Sequence, residues 1–434
     1  MRPSRRLLIL LALWLGLGIA AANWQLAAMA WLIAGGVLLG LALLDGIVLR
    51  VTPVPLGRRS VPHTLPVGVR SEVVLRITNA ARRRVLVDVF DHLPPAAQLE
   101  GLPQSAHVPA GRWVELRYAM TPLERGNHGF GRVQALLASP LGLWRRNCWL
   151  GEPQSVRIYP NFAEVARYAL FATDNRLSQL GIRKRRRRGE GLEFHQLREY
   201  RDGDPLRQID WKASARLKRL ISRDYQDERD QQIVFLIDCG RRMWVKDDRL
   251  SHFDHALNAM LLLSYVALRQ GDAVGFMSFA GVDRFLPPQK GAPCVNVVLN
   301  SVYDLQPTLA TPDYPRAAMD LLRRLRKRSL VILLTNLRDE DNAELAPAIA
   351  LLRRQHLVLV ASLREAVLRT VGEQTVRSFQ DALRLAATDL YVEERDRAHR
   401  EARGFGSLMM DTEPQHLPVA LVNRYLDIKA GGRL

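Results

Sequence analysis

Residues 233–238 read IVFLID, a continuous apolar run that closes on an aspartate. Such a run suits a strand covered on both faces. Beyond it, helices and strands alternate. The pattern predicts a helix over 253–269, a strand over 273–279 (AVGFMSF) and a hairpin partner over 282–286, with Gly281 at the turn. Helices over 295–304 and 313–327 lead to a second buried strand, 330–336 (LVILLTN). Helix 342–354, strand 357–361, a long helix near 376–403, strand 407–410 and a last helix 416–429 complete the series. Alternation of this kind argues a doubly wound, Rossmann-like α/β sheet with helices on both faces, over residues 229–434. Its ligand or metal site is expected beyond the carboxyl ends of the strands, where strand order reverses. The apolar stretch 259–268 is too short to cross a bilayer and should be the central buried helix.

Upstream, residues 51–160 change period. Val73, Leu75 and Ile77 alternate with polar neighbours, as do Val85, Val87 and Val89, and Val114, Leu116 and Tyr118. Pro, Gly and Asn separate these runs, which read as a small β-sandwich. Residues 161–228 form a charged segment between the two domains. Between 183 and 223 there are 14 Lys and Arg against 6 Asp and Glu, which supplies eight of the chain's net +18. Within it the run Arg183, Lys184, Arg185, Arg186, Arg187, Arg188 is flanked by Gly181 and Gly189, as a solvated loop would be.

Residues 1–50 are of another kind. The stretches 7–22 and 26–44 carry no charge. At about 1.5 Å per residue the second rises roughly 28 Å, close to the ~30 Å hydrocarbon core of a bilayer. Asn23, Trp24 and Gln25 make a short turn between them. Arg2, Arg5 and Arg6 precede the pair, and Arg50, Arg58 and Arg59 come after it. The reading is a transmembrane helical hairpin with both ends in the cytoplasm, since basic flanks stay inside. A cleaved signal peptide competes with it, because Arg5 and Arg6, an apolar run and Ala20–Ala22 imitate one. The second span would still anchor the chain.

Across 434 residues, 48% hydrophobic and 24% charged, the composition is globular. The basic excess favours an anionic partner: acidic protein, lipid headgroup or nucleic acid. Cys148, Cys239 and Cys294 are far apart and odd in number, which excludes a disulfide scaffold and a Cys-based zinc domain. Phosphate-binding GxxxxGK[ST], HExxH, GxSxG and strand-following GxGxxG motifs are all missing. His252 and His255 read as a wet helix start rather than metal ligands. Cys239 reads as a buried, inert thiol.

The informative position is Asp238, followed by Cys239-Gly240-Arg241-Arg242. A carboxylate leaving a buried strand holds a hard cation when neighbouring hydroxyls complete an oxygen shell. Von Willebrand factor A-type domains do so with Asp-x-Ser-x-Ser, a Thr and an Asp from later loops. Here the Ser positions are Gly240 and Arg242, Thr311 stands for the Thr, and Asn336 stands for the last Asp, with Asp339 nearby. Thr311 also reads as a helix N-cap. Two hydroxyls and a carboxylate are lost and a guanidinium is gained, so Arg242 is placed to pair with Asp238 where a cation would sit. The donor count favours a metal-free relic; Mg²⁺ is the ion an intact set would hold, and no other cofactor is implied.

The string Gly191-Leu192-Glu193-Phe194, Leu197-Arg198-Glu199-Tyr200, Gly203-Asp204, Arg207 and Ile209-Asp210-Trp211-Lys212-Ala213-Ser214-Ala215-Arg216 resembles the signature of the bacterial family known as domain of unknown function fifty-eight. Arg125-Gly126, Phe130-Gly131 and Ser139-Pro140-Leu141-Gly142-Leu143-Trp144 resemble its upstream block. The resemblance implies a von Willebrand A-like α/β domain on a membrane-anchored protein that acts with a MoxR-type AAA+ ATPase. Physically, the signature alternates Glu193, Glu199, Asp202, Asp204 and Asp210 with Arg198, Arg201, Arg207, Lys212 and Arg216, a local ion-pair network. Trp211 and Tyr200 are expected to be the apolar ballast that fixes it to a domain. An interdomain clasp and a partner-docking surface both fit.

The expectation is therefore a non-enzymatic adaptor at the bacterial cytoplasmic membrane, with the bulk of the chain in the cytoplasm. Its partners would be a MoxR-type ATPase and other envelope proteins. A metal-assisted hydrolase centred on Asp238, or an anionic-lipid scaffold working through 183–188, are the alternatives. Nucleic acid is not expected, since no stacking aromatics accompany the basic run.

Overall fold

The computed structural model describes residues 1–434 apart from 22–24, 63, 93, 95, 162–192, 202–205, 227–230, 248–249, 339, 341 and 433–434. Two compact units result, Met1–Ile158 and Tyr159–Leu434. Asn23 and Trp24, expected in the turn between the apolar stretches, lie outside the described residues.

The first unit opens with two helices, Arg5–Ala21 and Gln25–Val51. Among the described residues only the second, over Ala28–Val51, is long and apolar enough to cross a membrane. The helices lock through two indoles. Trp14 and Trp31 stack with centroids 4.5 Å apart, and each Nε1–H donates to the other's carbonyl, at 3.1 and 2.8 Å. Gly18 and Gly35 make room for the rings: a Cβ at Gly35 would stand 2.7 Å from Trp14. Gly35→Leu is thus expected to part the pair, with each lost indole bond worth on the order of 1 kcal/mol. Cysteine cross-linking between the helices checks it; unchanged cross-linking contradicts the lock.

The end of the second helix enters a β-sandwich. Leu49 is fully buried among Leu75, Val87 and Leu137. The Asp45 carboxylate accepts the N–H groups of Leu141 (3.0 Å) and Leu143 (3.2 Å), and Trp144 Nε1 donates to Ala42 O at 2.8 Å. The final carbonyls, which have no helical partner of their own, are met by Arg83 at Val48 (3.0 Å) and Arg146 at Thr52 (3.0 Å). One sheet runs Arg2–Pro3, Trp144–Leu150, Val133–Ala138, Val85–Asp91, Gln104–Val108, and a second Leu56–Ser60, Ser71–Thr78, Trp113–Pro122, Ala97–Glu100. The alternating sets Val73, Leu75, Ile77 and Val85, Val87, Val89 are buried, as period two requires. Asp91, also buried, pairs with Arg59 and accepts the Tyr118 hydroxyl; burial and this carboxylate push that phenol up.

The second unit contains a six-stranded sheet ordered Phe285–Gln289, Ala273–Phe279, Gln232–Asp238, Leu330–Thr335, Leu357–Leu363, Leu408–Thr412. All pairings are parallel except that of the edge strand Phe285–Gln289. Helix His252–Arg269 is buried along nearly its whole length. The first strand, Gln232–Asp238, has its sequence successors on opposite sides, so Asp238 stands where strand order reverses. At the other end of the sheet, buried Asp272 accepts from Tyr425 and from Lys429 Nζ (2.7 Å), which ties down the last helix, Leu417–Ala430.

Two features differ from the sequence expectation. The hairpin partner begins at Phe285, because Ser278 Oγ bonds Val282 O and Arg284 N and holds the intervening residues as a wide turn. The long helix begins at Phe379 and runs to Gly404, started by a Ser378–Asp381 capping box, and a separate short helix, Ala366–Gly372, precedes it.

Candidate functional site at the strand switch

Asp238 is fully buried, and both its oxygens are engaged from within the fold. Oδ1 accepts the Gly240 N–H at 2.7 Å, and Oδ2 accepts the Thr335 hydroxyl at 2.7 Å. Thr335 in turn shares a 3.0 Å hydrogen bond with buried Tyr314. Burial pushes the Asp238 carboxyl up to about 6, against the pull of these bonds and of Arg242. Burial, then the nearby Asp238, push the Tyr314 hydroxyl up as well.

The residues do not fit a divalent cation. Gly240 offers no side-chain oxygen, and a Cβ there would meet Asp238 Oδ1 and Ala310 O, both at 2.9 Å. A serine at 240 would therefore need the loop to move. Arg242, also buried, does not take the cation's place on Asp238 as expected. Its guanidinium bonds Glu340 at 2.9 Å, and burial lowers its proton affinity. Thr311 is exposed beside Gly240, and the cap of helix Tyr314–Arg324 is Asp313, not Thr311: Asp313 accepts the Arg316 N–H at 2.9 Å. Asp339 lies outside the described residues. Among the described residues no group of three or more His, Cys, Asp or Glu is placed to hold a metal.

Asn336 belongs to a separate buried network. Its amide donates to Glu365 Oε1 at 2.9 Å and its oxygen accepts from Arg395 Nη1 at 3.0 Å. Burial pushes Glu365 up, but Asn336, Arg395 and Arg338 outweigh it and hold the carboxyl below its ordinary value. His252 and His255 are buried too, correcting the wet helix start: Ser251 and Asp254 form a capping box that tucks this turn inward, and His252 Nε2 meets Asp247 at 2.8 Å. Cys239 is fully buried, as an inert thiol would be. Thr335 and Tyr314 escaped the sequence reading, although Thr335 closes the buried run 330–335 next to Asn336.

The charged signature folds as an antiparallel hairpin, Glu193–Glu199 with Ile221–Gln226, around a short helix Trp211–Leu217. Glu193 and Phe194 open its first strand, Arg207 lies in the Leu206–Gln208 turn, and Gly203, Asp204 and the run Arg183–Arg188 fall outside the described residues. Asp210 caps the helix by accepting Ala213 N–H (2.9 Å) and also accepts Arg223 Nε (3.0 Å); the Ala213 N–H and Arg223 hold its carboxyl below the usual range. Glu199 pairs with Arg219 at 2.7 Å, and Arg198 donates to Glu199 O. Lys212 and Arg216 are on the helix, and Tyr200 is half-buried. Trp211 is not ballast. It is 67% exposed, because its place in the first turn, beside the capping Asp210, turns it outward, and Leu206 is 71% exposed.

Residues 196–403 match the family described as "Protein of unknown function DUF58". The "Uncharacterized protein YeaD" of Bacillus subtilis (strain 168) is 21% identical over 252 residues, 56% of this chain and 52% of that protein. The chain thus spans about half the length of the curated relative it matches. Among solved structures, a CARDB domain from Pyrococcus furiosus is 13% identical and covers 25% of this chain and 94% of its own, with a TM-score of 0.17. Escherichia coli alpha-2-macroglobulin is 14% identical over 24% of this chain and 9% of its own, with a TM-score of 0.19.

Proposed function

Because residues 196–403 match the DUF58 family, we propose that the chain is a membrane-tethered, non-enzymatic adaptor. It works beside a MoxR-type AAA+ ATPase and other envelope proteins at the cytoplasmic membrane, with the bulk of the chain facing the cytoplasm. Its α/β region acts as a von Willebrand A-like module that docks without a cation. The observation that carries this reading is the exposed Trp211 on a hairpin whose Glu199 and Asp210 are already paired, with Arg219 and Arg223. An indole held outward by a capped helix is a costly surface to leave wet, and tryptophan is prominent among the residues that anchor protein interfaces. Leu197, Leu206, Leu217 and Leu220 are exposed in the same segment.

The tether is supported by the first unit. Leu13, Leu17, Leu32 and Leu39 stand more than half exposed on the two helices, apolar surface that lipid would cover. A signal sequence is removed after use, whereas Leu49 and Asp45 are built into the sandwich. A metal-assisted hydrolase centred on Asp238 has less support, since that carboxylate faces a threonine hydroxyl and a backbone N–H rather than a base or an open coordination position.

The test is affinity capture of the detergent-solubilised full chain with the AAA+ ATPase of its own cell, in each nucleotide state. Retention is expected, and Trp211→Ala is expected to weaken it about tenfold or more, with thermal unfolding unchanged because the side chain is exposed. Failure to retain any AAA+ ATPase, or equal retention by the variant, contradicts the reading.

A further inference from the structure

We propose that the end of the β-sandwich from which the helices emerge is a binding surface for anionic phospholipid headgroups, formed by Arg2, Arg5, Arg6, Arg50, Arg82 and Arg84. The inference rests on the membrane-spanning reading of the helix Gln25–Val51 and adds a ligand to it.

Depth is the first argument. That helix has 27 residues, so it rises about 40 Å at ~1.5 Å per residue. A hydrocarbon core of about 30 Å consumes some 20 of them. Counted from Gln25, the apolar region ends at Asp45, the first acidic residue of the chain and one already held by two backbone N–H groups of the sandwich. The helix therefore continues through the headgroup layer, and the sandwich that grips its last turns is drawn against the leaflet. Trp144, whose indole N–H donates to Ala42 O, lies at the same boundary, where amphipathic aromatic rings settle. Leu141, half-exposed at the tip of the neighbouring turn, points the apolar end of that loop at the same level.

Charge is the second. Arg2 pairs in register with Arg145, Arg5 and Arg6 begin the first helix, and Arg6 lies over Gly142. Arg50 is in the last turn of the second helix, and Arg82 and Arg84 flank Arg83, which bonds the carbonyl of Val48. All six proposed contact residues are exposed. The acidic groups at this end are committed: Asp45 to the Leu141 and Leu143 amides, and Asp88 to Arg145 (2.9 Å) and Ser105 (2.7 Å). What remains toward the leaflet is a cationic collar, the complement of phosphate-bearing, negatively charged headgroups.

The full chain should be placed in nanodiscs of phosphatidylcholine alone and with about one third phosphatidylglycerol, and the lipids kept after mild delipidation weighed by native mass spectrometry. The ratio of phosphatidylglycerol to phosphatidylcholine among the retained lipids is expected to be roughly tenfold that of the bilayer, and conversion of the six arginines to Gln is expected to abolish the enrichment. No enrichment, or enrichment that survives that variant but vanishes when residues 183–188 are neutralised, overturns the proposal. Alkaline carbonate extraction separates this from the premise. A chain that stays in the membrane without phosphatidylglycerol preference lacks only the collar, whereas one that is extracted does not span.

Discussion

Replacing Arg395 with methionine is expected to cost about 3–5 kcal/mol of stability, because it leaves the Asp411 carboxylate and the buried carbonyls of Leu337 and Leu363 without this partner. Arg395 projects from helix Phe379–Gly404 and is 2% exposed. Its Nη1 donates to Leu337 O at 2.6 Å and to Asn336 Oδ1 at 3.0 Å, and its Nη2 to Leu363 O (2.7 Å), Ser362 Oγ (2.7 Å) and Asp411 Oδ1 (2.8 Å). These partners lie at or just beyond the carboxyl ends of three adjacent strands, Leu330–Thr335, Leu357–Leu363 and Leu408–Thr412. One guanidinium thus staples three strands at the rim that carries the candidate site. Lysine, with a point charge and no planar fork, would recover only part of it. Amide hydrogen exchange of the full chain reads the outcome: protection in these strands should fall in the methionine variant and partly return in Arg395→Lys. Unchanged protection contradicts the staple.

The second large effect has the opposite sign. Asp238 carries a carboxyl pushed to about 6 by burial, against an ordinary value of 3.8. Its folded form holds the proton more tightly than the unfolded chain does, so its contribution to stability is full below the unfolded value and is lost as pH rises through about 6. Above that the ionised carboxylate costs about 3 kcal/mol by linkage. Asparagine removes the charge and keeps the hydrogen bonds: its oxygen accepts the Gly240 N–H, its amide donates to Thr335, and the Thr335 hydroxyl turns toward Tyr314. Asp238→Asn is therefore expected to be about 1–3 kcal/mol more stable than the parent at about pH 8 and to gain nothing near pH 4. Denaturant midpoints from about pH 4 to about pH 8 check it. A variant weaker than the parent at the alkaline end would show the carboxylate to be needed in its ionised form.

Much of the α/β region was legible because buried parallel strands write themselves as apolar runs. IVFLID, AVGFMSF and LVILLTN needed no partner information, and the order reversal at Asp238 agreed with where such sheets place their sites. The sandwich was legible as period two. What escaped were contacts between side chains far apart in sequence. Arg395 sits in the charged string EERDRAHR (393–400), and only its spacing from Ala398 and Ala402 marks the inward stripe. The Trp14–Trp31 lock joins positions seventeen residues apart on two helices that each read simply as apolar. Trp211 was misread for a related reason. A tryptophan in a charged string suggests ballast, and only the Asp210 cap reveals which way the first turn faces.

The most direct test of an α/β module that docks without an ion is titration calorimetry of the solubilised full chain with Mg²⁺, Mn²⁺ and Ca²⁺, alongside Asp238→Asn. The expected result is no saturable heat that the variant loses, with the capture of the AAA+ ATPase unaffected by that substitution. Saturable binding of any of the three ions that disappears in Asp238→Asn would contradict it and restore a cation-bridged site at the strand switch.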